Sequence, residues 1–137
     1  MDPMISLILS LMIALPQDAP EDVGRVTFTA GVCGALGWIV DPAESERMGE
    51  AAALANLGRT TGDPVAEARA AAEAVEAQFT AEFEAVTNQA AFRTWAAMIE
   101  ARCDATAEAY PVLLRRGPDT AAEWAVLQER ALSRLQP

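Results

Sequence analysis

Val65, Ala68, Ala72, Val75, Phe79, Phe83 and Val86 follow one another at steps of 3, 4, 3, 4, 4 and 3 residues. Only a helix turning once every ~3.6 residues gathers such a series onto one face. The series spans six turns, and Glu67, Glu73, Glu76, Glu82 and Glu84 mostly occupy the other side. A long helix with a single apolar stripe must lie against other helices or against a sheet. The rest of the chain decides between the two. It holds 30 alanines, the strongest helix formers, and few β-branched residues after the first third. The sequence therefore predicts an all-α fold, a small bundle of four or five antiparallel helices.

Helix starts and stops are written plainly. Asp41 can cap a helix with Pro42 at its first position and Glu44 completing a capping box. That helix runs to Leu57, where Gly58 supplies the left-handed residue common at helix ends. Arg59 to Gly62 reads as a turn. Asp63 and Pro64 repeat the start signal for the long helix. Thr87 or Asn88 caps the next, whose stripe is Phe92, Trp95, Ile99, Cys103, Thr106 or Ala107, and Tyr110, with Pro111 as its stop. After the loop "RRGPD", Thr120 and Glu123 form a further capping box, and Trp124, Leu127, Ala131 and Leu135 share one face.

The first helix is less plain. Asp22 to Val40 shows both helical spacing and a short alternation through Val26, Phe28, Ala30 and Val32. It reads as helix throughout, because a lone strand would lack a partner. Gly31, Gly34 and Gly37 would then let a neighbouring helix approach closely.

Ahead of it, Ile5 to Leu15 is an apolar run interrupted only by Ser6 and Ser10. It is too short to span a bilayer, which takes about 20 residues. It matches the apolar region of an export signal, about 7 to 15 residues. Residues 1–19 are read as a signal peptide, with cleavage after Ala14 or Ala19, and residues 20–137 as a single helical domain. The expected location is periplasmic or secreted, with no stable membrane anchor once the signal is removed.

Export gives the two cysteines a meaning. Cys33 and Cys103 fall on the apolar faces of the first and fourth helices, and a disulfide between them is expected. In length, helix content and a single cysteine pair the chain resembles the acid-stress chaperones of the bacterial periplasm. The likeness is one of class, since no stretch around either cysteine matches theirs.

Function classes are narrowed mainly by what is missing. Ten arginines, no lysine and twenty acidic residues give a net charge of −10. That balance opposes nucleic acids and anionic lipid surfaces. Without histidine there is no Ser–His or Cys–His pair, no Glu-x-x-His metal motif and no haem attachment signature. A zinc site built from two distant cysteines is a poor pattern. No catalytic, cofactor or metal residue is assigned. A Gly-rich phosphate loop would need a Lys and a strand context that this chain lacks.

The expected activity is therefore binding of another protein, without catalysis. The alternatives are a carrier for a small apolar ligand, held between helices near Trp38, Trp95 and Trp124, and, from the class likeness alone, an acid-stress chaperone of the periplasm. These three tryptophans and the adjacent pair Arg115 and Arg116 are the candidate contact residues. Core packing is the plainer role for the tryptophans. For the arginines it is complementing the C-terminal end of the fourth helix.

Overall fold

The computed structural model describes residues 19–57 and 62–137. Among these, five helices and one short antiparallel ladder form the fold: α1 (Pro20–Ala35), β1 (Ile39–Val40), α2 (Pro42–Ala55), α3 (Pro64–Glu84), α4 (Gln89–Ala109), β2 (Leu114–Arg115) and α5 (Thr120–Leu132). The all-α reading holds. Residues 1–18 of the segment read as an export signal lie outside the described residues, as do residues 58–61, on which the helix stop at Gly58 and most of the turn read from Arg59 to Gly62 fall.

The sequence punctuation acts as expected at three starts. Asp41 accepts hydrogen bonds from the Ala43 and Glu44 N–H groups, Asp63 from Val65 and Asn88 from Ala91. Each bond satisfies a donor that a helix start leaves free. Glu44, however, does not close a box onto Asp41. The Asp41 N–H is already taken by the Leu113 carbonyl at 2.9 Å, and Glu44 pairs with Arg47 instead.

Thr120 departs further. It is not a cap: its buried hydroxyl accepts from Gly117 N–H at 2.7 Å and donates to the Gly37 carbonyl at 2.9 Å. One side chain thus joins the turn after α1 to the turn before α5.

The first helix stops earlier than its spacing implied. α1 ends at Ala35, Gly37 adopts φ +114°, and Ile39–Val40 pairs with Leu114–Arg115. A positive φ is cheap only for glycine, so Gly37 is what allows the chain to leave the helix there. The strand has a partner after all, supplied by the loop before α5.

The other glycines of this segment also act differently. A side chain at Gly31 would meet nothing, and one at Gly34 would meet only the Val40 side chain. The close helix contact is at Gly24. A Cβ there would run into the Ala68 carbonyl oxygen and lie 2.8 Å from the Ala68 carbonyl carbon, so backbone meets backbone. We expect Gly24→Ala to push α1 and α3 apart and destabilise by about 2 kcal/mol. Urea unfolding should show a lower midpoint, and an unchanged midpoint would contradict the contact.

α3 and α4 run antiparallel. Phe83 meets Trp95 with ring centres 5.3 Å apart, while Arg102 reaches Glu82 and lies 4.9 Å over the Phe79 ring. α4 and α5 are antiparallel too, for Gln89 at the start of α4 binds the Gln136, Leu132 and Leu135 carbonyls at the chain end.

The core lies between α1, α4, α5 and the ladder. Ala30, Cys33, Ile99, Cys103, Leu113 and Leu114 are sealed from solvent, with Trp38, Phe92 and Trp124 around them. Cys33 and Cys103 are disulfide-bonded with Cα atoms 5.7 Å apart, which joins α1 to α4 through the centre of this core. The long α3 lies on the outside. Only Ala71 is buried on it, and Val65 in its first turn and Phe83 in its last are exposed. The stripe marks a helix face correctly, but that face has too few neighbours to be covered along its length.

Candidate binding surface

The three tryptophans do not converge. Trp38, in the turn after α1, and Trp124, in the second turn of α5, meet edge to face with ring centres 6.1 Å apart. Each ring fills space beside the other, and both are 3% exposed. Trp95 belongs to a second cluster with Phe83 and Phe92. Its indole N–H is buried with no acceptor among the described residues. Such a donor costs about 1–3 kcal/mol relative to a satisfied one.

Arg115 and Arg116 also separate. Arg115 is exposed, with its backbone in β2 opposite Ile39. Arg116 lies 5.0 Å over the Trp38 ring. Its guanidinium grips Asp104 with two bonds, of 2.8 and 2.9 Å, and stands 3.8 Å from Glu100. Trp38 Nε1 donates to the same Asp104 carboxylate at 3.2 Å. Asp104 therefore holds a ring and a cation on α4, next to the disulfide. Arg116 does meet the fourth helix, by this fork on Asp104 rather than by capping its last carbonyls. Sequence reading missed Asp104, and the only signal available was its place directly after Cys103.

The Arg116 guanidinium, and then the Trp38 N–H, hold the Asp104 carboxyl below the usual carboxylate range against the opposing effect of burial. A carboxyl lowered in the folded state stabilises the fold above its unfolded pKa of about 3.9. That contribution fades as the pH falls through the lower folded value. The pair is more than one-third exposed, so the effect is modest, below about 1 kcal/mol. Between about pH 7 and about pH 3, Asp104→Asn should lose less stability than the parent chain. Equal acid losses in urea midpoint would remove Asp104 from the acid response.

The described residues contain no group of three or more His, Cys, Asp or Glu placed to hold a metal ion. None of their helices is long and apolar enough to cross a membrane. No protein family, curated protein or solved structure matches the chain.

The surface itself is uneven. Phe83 and Met98 are exposed beside Trp95 on the α3–α4 side, and Leu54 and Leu57 are exposed at the end of α2. Neither set figured in the sequence reading of binding residues. Leu54 and Leu57 could have been noticed, because they lie off the face marked by Met48 and Ala52.

Proposed function

We propose that this chain is an exported, disulfide-stapled helical protein that acts by binding another protein and catalyses no reaction. The observation that carries the compartment is the disulfide itself. Cys33 and Cys103 are bonded at the centre of the core, and such bonds persist in oxidising surroundings. The apolar run Ile5 to Leu15 supports the same reading as an export signal.

Binding is supported by how the side chains are used. Arg116 pairs with Asp104 beside Trp38 and Arg102 with Glu82 between α3 and α4, while several large apolar side chains stand in solvent. Exposed apolar side chains grouped together are what a protein partner covers. The carrier alternative draws less support, because Trp38 and Trp124 pack on each other and Trp95 belongs to another cluster.

The test is a pull-down with the tagged chain from periplasmic extract, repeated on independent cultures. The expected result is the same protein recovered each time in near-stoichiometric amount. Repeated recovery of nothing would contradict the reading.

A further inference from the structure

We propose that the outward face of α2, formed by Glu46, Glu50, Leu54 and Leu57, docks a basic amphipathic helix of a partner protein. The inference rests on the protein-binding reading above and names the surface and the partner's chemistry.

α2 turns Met48 and Ala52 into the core and leaves this opposite face exposed among the described residues. Steps of 4, 4 and 3 place the four residues in one row. The Leu57 N–H returns to the Leu54 carbonyl at 3.3 Å, which keeps the two leucines side by side past the helix end. They are 73% and 76% exposed, the two highest exposures among the large apolar side chains described. Val65, in the first turn of α3 just beyond the same connection, is 57% exposed.

The charge beside the leucines selects the occupant. Glu46 and Glu50 are exposed and carry no ion pair among the described residues. The sole cation on α2, Arg47, is held by Glu44 with an Nε–Oε2 distance of 2.8 Å. A row of two free carboxylates followed by two leucines fits a helix presenting Lys or Arg and then apolar residues in register. Such a helix gains from apolar contact and from charge pairing at once. Two copies of α2 paired in parallel would bring these carboxylates together, and an anionic bilayer would meet them with like charge.

The probe is a fluorescently labelled amphipathic peptide with one leucine face and one lysine face, titrated into the full chain and read by anisotropy. A leucine–glutamate peptide of the same pattern serves as control. Saturable binding of the lysine peptide is expected, weakening with salt, with none for the glutamate peptide. Leu54→Ser/Leu57→Ser and Glu46→Gln/Glu50→Gln should each weaken it about tenfold, a factor worth about 1.4 kcal/mol. Glu73→Gln/Glu129→Gln removes the same charge from exposed positions elsewhere and should leave binding unchanged. These are all surface positions, and melting curves like the parent's verify the fold. Equal losses from both glutamine pairs would mean unspecific attraction to an acidic protein and would overturn the proposal. So would indifference to the leucine change, or a sedimenting dimer that this change dissolves. A pull-down that recovers its partner equally well with Leu54→Ser/Leu57→Ser would overturn this surface and leave the binding reading standing. A pull-down that recovers nothing strikes that reading alone.

Discussion

Replacing both cysteines by alanine is expected to lower the stability of the fold by about 4 kcal/mol. The bond joins positions 70 residues apart, so it removes a large loop-closure entropy from the unfolded chain. Few other single contacts in this protein are of that size. Its core is rich in alanine, which buries little area, and domains of this length are stable by only about 5–15 kcal/mol in total. The melting temperature should fall by roughly 15 °C. Both sulfurs sit among sealed residues, Cys33 at 0% and Cys103 at 1% exposure. A mild reductant should therefore act slowly on the folded protein and quickly once urea opens it. Thermal melts of the parent and of Cys33→Ala/Cys103→Ala provide the check, and a difference below a few degrees would show that packing alone holds α1 to α4.

Trp124→Ala should cost about 3–5 kcal/mol, the range for truncating a large buried aromatic. Trp124 opens the second turn of α5 and is one of the few large side chains in the core. Its loss would leave a void beside Trp38, which Arg116 and Asp104 also hold. The surrounding backbone can collapse little, because Thr120 ties it to Gly37 and the ladder pairs Ile39 with Arg115. Urea unfolding should give a much lower midpoint with a similar slope. Val126→Ala, on the exposed side of the same helix, should change the midpoint by under about 0.5 kcal/mol. If the two substitutions cost the same, the Trp38–Trp124 contact is not part of the core.

Both effects are partly legible in the sequence. The cysteines and Trp124 lie on apolar faces at helical spacing, and spacing is a local property that a sequence displays. So are the caps: Asp41, Asp63 and Asn88 all bind the first free N–H groups of their helices. What could not be read is what depends on distant partners. Ile39 and Val40 continue a helical pattern, yet they pair with residues on the far side of α4 in the chain. Thr120 has the neighbours of a capping box, yet its hydroxyl is claimed by Gly117 and Gly37. Gly24 had no pattern of its own, while the spaced glycines Gly31 and Gly34 proved to face no neighbouring helix backbone. The stripe of α3 named a face but not what covers it, which is why Val65 and Phe83 emerged exposed.

The candidate surface was harder to read than the fold. The tryptophans and the arginine pair drew notice because aromatics and adjacent cations are rare in this chain. Trp38, Trp124 and Arg116 turned out to hold the fold together around Asp104. Leu54 and Leu57 are ordinary residues in an alanine-rich segment, and their exposure is a property of the packed bundle.

The central claim, an exported bundle closed by one disulfide, is tested most directly by the intact mass of the protein recovered from the periplasm of a Gram-negative host, before and after reduction. The account predicts a chain that has lost residues 1–14 or 1–19 and gains about 2 Da on reduction, the two hydrogens of one opened S–S bond. A full-length product confined to the cytoplasm, with two thiols that alkylate once the protein is unfolded without reductant, would contradict it.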